Sequence, residues 1–354
     1  MAEERSRRYT VIPSAELDSL LNGALAGIAA DIEAKKSPVL RAVVLGGGYG
    51  RGEGGVWRTP EGDRLYNDLD LFVFSSRAGR DDAGELDRRF REISQKWESR
   101  LGIAVDFGPA KNIESLKTVS QTLMFQELLR GWKPVWGDAE PEKWIPALSP
   151  EELPFTEAVR LLLNRGMGLI FAGEYIRRGT PDPDFIVRNM NKALLGGGDA
   201  LLIAGGDYRW LGEERVKGFA DYVRRSGMPE KFAEAYEEAF RRKLSPMPVM
   251  PEDPEMQWRR CRAFFLDALR RVAGVAEGAS RRETVSKLSD RAAKQRSFKN
   301  MLRWARRTGK LRLPSEMFDA PVVTVLGEVY GKLTESDELP VCPPGLLRRW
   351  KAFN

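Results

Sequence analysis

The chain has 354 residues, 42% of them hydrophobic and 31% charged, with a formal net charge of +6; this balance belongs to a folded globular protein rather than a disordered one, and the length allows two domains with sizeable cores. It contains no histidine. That excludes Ser-His-Asp and Cys-His catalysis, histidine-ligated metals and HD-type phosphohydrolase sites, and leaves carboxylates, lysines, arginines and hard cations to carry any chemistry.

Leu17, Leu20, Leu21, Leu25, Ile28 and Ile32 recur at helical spacing and predict a helix over residues 15–35. Three β-like runs follow. Arg41–Leu45 ends in glycines, Asp68–Phe74 alternates before Ser75-Ser76, and Leu101–Phe107 stops at Gly108-Pro109. Between the second and third, residues 83–99 predict a helix with Leu86, Phe90, Ile93 and Trp97 on one face. Another helix is expected over 119–129 and a short strand at Pro134–Trp136. Residues 139–154, rich in Pro and Glu, mark a domain boundary. Helical patterns then occupy 155–178, 185–204, 211–226, 229–243, 254–274, 282–308 and 320–332. The expected architecture is α+β: a mixed β-sheet flanked by helices over residues 1–145, then a helical domain over 146–354.

No apolar run approaches the ~20 residues that span a bilayer, and the charged N-terminus lacks the apolar core of a signal peptide. Cys261 and Cys342 form neither a disulfide framework nor a zinc pattern. A soluble, cytoplasmic protein with no membrane partner is the expectation.

Two D-x-D pairs occur. Asp182-Pro183-Asp184 sits between prolines and cannot lie inside a strand. Asp68-Leu69-Asp70 opens an alternating strand, so Asp68 and Asp70 project to one face while Leu69, Leu71 and Val73 face a core. Two ionised carboxylates side by side repel unless a cation lies between them, and oxygen ligands of this kind suit Mg²⁺. Asp106, near the end of another strand, joins them if the two strands are neighbours. Three carboxylates can hold two metal ions.

Upstream lies Gly46-Gly47-Gly48-Tyr49-Gly50-Arg51-Gly52-Glu53-Gly54-Gly55, where a strand running into glycines offers backbone N–H groups to an anion. Gly50 to Gly55 fits G-x-G-x-x-G, yet residues 56–67 have no helical periodicity, so a Rossmann loop does not follow. Walker A fails for want of G-K-[ST], and a kinase loop for want of H-R-D. Arg51 is a candidate phosphate ligand; the alternative is a salt bridge with Glu53, itself read as stabilising the loop.

The order of strand, Gly47-Gly48, D-x-D opening the next strand and a third strand-borne Asp resembles the DNA polymerase β-type nucleotidyltransferase superfamily. The run Gly47-Gly48-Tyr49-Gly50-Arg51-Gly52-Glu53 looks especially like the loop of PII-protein uridylyltransferases. The resemblance covers about residues 41–138. It departs by a longer gap, with Val56–Asn67 inserted, and by the missing HD domain, so the layout is nearer to the minimal antibiotic nucleotidyltransferases.

The resemblance implies that Gly47 and Gly48 hold the triphosphate and that Asp68, Asp70 and Asp106 bind two Mg²⁺ ions. An NMP would pass from an NTP, ATP among them, to a hydroxyl of a small molecule or protein, releasing pyrophosphate. It also implies a lysine from the helical domain at the triphosphate, for which Lys192, on a helix with Arg188 and Asn189, is the candidate. Asn164 and Arg165, which interrupt the apolar run Leu161–Phe171, are lesser candidates. Residues 291–312 hold nine Lys/Arg and no Asp/Glu. They keep open a tRNA 3′-end or toxin-type nucleotidyltransferase that grips RNA through this segment. A catalytically inactive nucleotide-binding module is the third reading.

Overall fold

A computed structural model describes residues 8–76, 80–119, 122–180, 182–294 and 320–351. The chain is α+β and divides into two compact units: Met1–Ala147 with Lys243–Pro246, and Leu148–Arg242 with Met247–Asn354.

The first unit begins with α1 (Ala15–Ala34), capped by Ser14, whose Oγ accepts the Leu17 N–H at 3.3 Å. Leu17, Leu21, Leu25, Ile28 and Ile32 are buried. Leu20, expected on the same face, is 44% exposed; at about 100° per residue it falls roughly 40° outside the buried stripe. Strands β1 (Leu40–Leu45), β4 (Leu69–Ser75), β5 (Val105–Phe107), β6 (Lys111–Asn112) and β7 (Lys133–Gly137) form one mixed sheet, ordered β5-β4-β1-β7 with β6 also beside β4. β1 is antiparallel to β4 and β7, whereas β5 and β6 run parallel to β4.

Each face of the sheet has its own core. On one, Val43, Leu45, Leu69, Leu71, Val73 and Val105 meet α1 and α3 (Arg80–Leu101). On the other, Ala42, Val44 and Phe74 meet Leu116 of α4 (Ile113–Val119), Phe125 and Leu128 of α5 (Leu123–Leu128) and Ile145, just after α6 (Pro141–Trp144). Leu69, Leu71 and Val73 are each worth roughly 1.5–3 kcal/mol when buried. A one-residue slip of β4 would turn all three to the opposite face and carry Asp70 toward the core beneath α1 and α3. Their burial therefore fixes the side on which Asp70 projects.

Several expected elements differ. The strand anticipated over 101–107 is only Val105–Phe107, because α3 continues to Leu101 and Gly102 then turns at φ +69°. The helix anticipated over 119–129 corresponds to the shorter α5, and α4, which precedes it, was not expected. Residues 56–67 form a two-stranded hairpin, β2 (Val56–Thr59) and β3 (Gly62–Leu65). Asp182, set aside as a strand residue, caps a helix: its Oδ1 accepts the Phe185 N–H at 2.9 Å.

In the second unit every described element is a helix: a 3₁₀ turn (Pro150–Glu152), α7 (Phe155–Arg178), α8 (Pro183–Gly205), α9 (Gly212–Ser226), α10 (Lys231–Leu244, whose last residues belong to the first unit), α11 (Pro254–Ala273), α12 (Arg281–Lys294), α13 (Ala320–Thr334) and α14 (Pro344–Lys351). The last was not expected. α7 and α8 run antiparallel, with Arg165 against Gly196 and Asn189 against Gly168. No described helix is long and apolar enough to cross a membrane.

The run Gly196-Gly197-Gly198 lies inside α8, where helix propensity alone disfavours it. Its neighbours explain it. A Cβ would come 2.3 Å from Arg165 Cγ at Gly196, 2.8 Å from the Phe264 ring at Gly197 and 2.4 Å from the Tyr236 ring at Gly198. Tyr236 cannot yield, being buried with its hydroxyl donating to Asp199 Oδ1 at 2.5 Å. Gly198→Ala gains roughly 1 kcal/mol of propensity against an overpacking cost of roughly 1–3 kcal/mol. The expected result is a net loss of up to about 2 kcal/mol, seen as a lower urea midpoint at unchanged slope.

Candidate active site

β1 delivers the chain into the glycine loop. The Gly46 N–H donates to the Asp70 carbonyl at 2.8 Å, so the start of the loop is stitched to the acid-bearing strand. Gly47–Gly50 then make one helical turn, α2. The leading N–H groups of such a turn, those of Gly47 and Gly48 among them, have no partner within it. Gly47 has φ +61°, and a Cβ there would lie 1.8 Å from Asp70 Oδ2: the carboxylate occupies the room the glycine leaves. Gly48 differs, for nothing comes within 3.6 Å of a Cβ built on it.

The strand register pairs two of the three acids. β4 and β5 are parallel, and Asp70 is the register partner of Asp106. Facing positions on adjacent strands share one side of the sheet at about 4.8 Å. Asp68 stands just before β4, whose first N–H, from Leu69, donates to the Ala104 carbonyl at 2.9 Å. Asp68 and Asp70 are half-buried and Asp106 is exposed. Among the described residues, no three Asp, Glu or Cys side chains are drawn closely enough together to form a finished metal shell. The donor set is nonetheless all oxygen. Partial desolvation first, then the charges of Asp68 and Glu98, push the Asp106 carboxyl above its ordinary range. These residues fit a hard divalent cation in ligand type and in charge.

A carboxyl whose pKa is raised by folding stabilises the folded state below its unfolded pKa, and this contribution is lost as pH rises through the folded value. Ionised Asp106 therefore burdens the metal-free protein at neutral pH. Asp106→Asn is expected to raise Tm there, the difference fading as the pH is lowered to roughly 3. Thermal melts of both proteins across that range, without divalent cation, check it; a lower Tm for the variant at neutral pH contradicts the assignment.

Beneath the loop lies a compact ion-pair lattice. Arg51 Nη1 is 3.1 Å from Glu127 Oε2 and its Nε is 3.7 Å from Glu53 Oε2, which Lys243 Nζ approaches to 3.0 Å. Arg51 is thus engaged by two carboxylates, as its salt-bridge reading anticipated, with Glu127 the nearer. Glu53 is buried and braces the loop. Lys243 lies 190 positions from Glu53, and no local pattern points to it.

Lys192 is an exposed residue of α8 in the second unit. Arg188 pairs with Asp184 at 2.7 Å, and the Asn189 side-chain amide donates to the Phe185 carbonyl at 2.9 Å, so both serve their own helix. Asn164 accepts the Trp350 indole N–H at 2.9 Å. Of the basic segment 291–312, residues 295–312 lie outside the described residues. Arg291 is drawn inward: its guanidinium lies 4.8 Å from the Phe155 ring centre and donates to the Val272 and Ala204 carbonyls near two helix ends.

Three supporting residues escaped the sequence reading. Tyr49 is fully buried within the loop, Asn67 accepts the Gly55 N–H at 2.6 Å, and Glu98 accepts the Val105 N–H at 3.2 Å beside Asp106. An aromatic residue among glycines was the one available signal, since such a side chain must turn inward to be covered. Comparison with known proteins finds no family model, no curated protein and no solved structure that matches the chain.

Proposed function

We propose that the chain is a Mg²⁺-dependent nucleotidyltransferase of the polymerase β type, moving an NMP from an NTP to a hydroxyl of a small molecule or protein. The observation that carries the reading is the register pairing of Asp70 with Asp106, with the Asp70 carboxylate set against Gly47. In this reading the first unit is the catalytic domain, the helices of the second hold the acceptor, and the reaction runs in a reducing cytoplasm.

The Gly47 and Gly48 amides donate to phosphate oxygens of the NTP. Asp68, Asp70 and Asp106 would hold Mg²⁺, two ions for three carboxylates. Bound there, the metal supplies charge neutralisation for the triphosphate and the departing pyrophosphate. Asp106, the most exposed of the three, faces the acceptor and takes the proton of its hydroxyl as the oxygen attacks the α-phosphorus. Arg51 holds the loop rigid through Glu127 and Glu53.

The test supplies each α-labelled NTP with Mg²⁺ and a panel of hydroxyl-bearing small molecules, proteins and RNAs. Label transfer with stoichiometric pyrophosphate release supports the reading. No release from any of the four NTPs rejects it.

A further inference from the structure

We infer that Tyr49 is a positioning residue of the proposed transfer reaction: its hydroxyl closes the base of the β2–β3 hairpin and so sets Asp68 at a fixed place beside the glycine loop. The inference rests on the nucleotidyl-transfer reading and adds a residue to it.

Between the glycine loop and the acid pair, the chain makes an excursion of ten residues, Val56 to Leu65, as a hairpin. The ladder pairs Val56 with Leu65 at the base, but untied beyond that pair the excursion would let Asp68 shift relative to Gly47 and Gly48. The tie to the loop is supplied from inside. The Tyr49 hydroxyl donates to the Gly55 carbonyl at 3.0 Å, immediately before the hairpin, and accepts the Tyr66 N–H at 2.9 Å, immediately after it. A single oxygen thus holds both ends. Asn67 adds a second tie at the same place through the Gly55 N–H.

The ring is held equally firmly. Tyr49 is 0% exposed, and Gly54 lies flat against it, for a Cβ on Gly54 would come 2.0 Å from Cδ1. Burial raises the phenol above its ordinary pKa, so the hydroxyl keeps the proton it donates. Tyr49 follows Gly48 directly, and Tyr66 precedes Asp68 by two positions. The clamp therefore spans the shortest path between the proposed phosphate cradle and the first proposed metal ligand. The hairpin's far end is anchored separately, the Asp63 N–H donating to Glu16 Oε2 at 3.2 Å. The base has no need of the tip.

The experiment compares four chains: wild type; Tyr49→Phe; a chain in which residues 57–64 are replaced by Asn-Gly, so that a tight turn joins the register partners Val56 and Leu65; and that shortened chain with Tyr49→Phe. Thermal melts establish that each is folded. In the full-length chain Tyr49→Phe is expected to lower kcat at least about ten-fold and to raise the Mg²⁺ needed for half-maximal rate, with the NTP KM nearly constant, because a misplacement on the order of 1 Å at a metal ligand costs up to about a hundred-fold. The shortened chain retains activity. Within it the same substitution costs no more than about three-fold, since a covalent turn now does what the hydroxyl did.

An active wild type with Tyr49→Phe unchanged, or with equal losses in both backgrounds, overturns the inference and leaves the transfer reaction standing. A folded Tyr49→Phe variant whose only change is a higher NTP KM also overturns it. A wild type that transfers nothing removes both.

Discussion

Asp70→Asn is expected to lower the transfer rate by about a thousand-fold or more while leaving the fold intact. The two halves of this result have separate causes. Asn has nearly the shape of Asp, so it fills the space beside Gly47, where a Cβ would meet the Asp70 Oδ2 at 1.8 Å, without disturbing the loop. The Gly46 N–H bond to the residue-70 carbonyl is a backbone bond and survives. Activity responds differently. A metal at a reacting phosphate contributes several kcal/mol to the transition state, and about 4 kcal/mol is about a thousand-fold in rate. Single-turnover rates at saturating Mg²⁺ and thermal melts without it measure the two effects independently. A variant within about ten-fold of wild-type rate would place the chemistry elsewhere. A variant that loses both rate and Tm would make Asp70 a structural residue first.

The parts of this arrangement that could be read from the sequence are those where one chemical pattern dominates a whole element. β4 is such a case. Leu69, Leu71 and Val73 alternate with Asp70 and Phe72, and burial follows the alternation residue by residue. α7 is another: its apolar positions begin at Phe155 after a proline and end at Arg178 before Gly179, where the structure also begins and ends it. What stayed hidden depends on meetings between distant segments. The hairpin at Val56–Leu65 has charged residues on both strands and only Val56 and Leu65 facing a core, too few to declare a strand. The strand expected over 101–107 is present only as Val105–Phe107, and its late start is set by backbone bonds to Leu69 and Leu71, which carry no side-chain signature. Lys243 meets Glu53 across 190 positions, with nothing local to announce it. The glycines of α8 fall inside the helix expected over 185–204, but their role as packing contacts for Arg165, Phe264 and Tyr236 depends on those distant segments.

Gly47→Ala and Gly48→Ala are expected to fail in different ways, and the difference separates a glycine the fold requires from one a ligand requires. At Gly47 a methyl group meets two obstacles. The backbone has φ +61°, which costs a non-glycine residue about 1–3 kcal/mol. The Asp70 carboxylate also stands where the methyl would go. The carboxylate must move, so stability and rate fall together, with a loss of about 2 kcal/mol or more in urea unfolding. At Gly48 neither obstacle exists. Its φ is not positive, and the nearest atom to a built Cβ, the Glu53 carbonyl oxygen, is 3.6 Å away. Ala is also the better helix former by about 1 kcal/mol, so Gly48→Ala is expected to match or exceed wild-type stability. If the backbone here must come close to a triphosphate, the methyl takes the space the phosphate oxygens need. The expected mark is an NTP KM raised about ten-fold or more, with metal-free stability intact. Nothing in the folded chain explains a glycine at position 48, whereas phosphate approach does. An unchanged KM for Gly48→Ala would therefore remove the phosphate cradle from the proposed site, even with all three carboxylates in place.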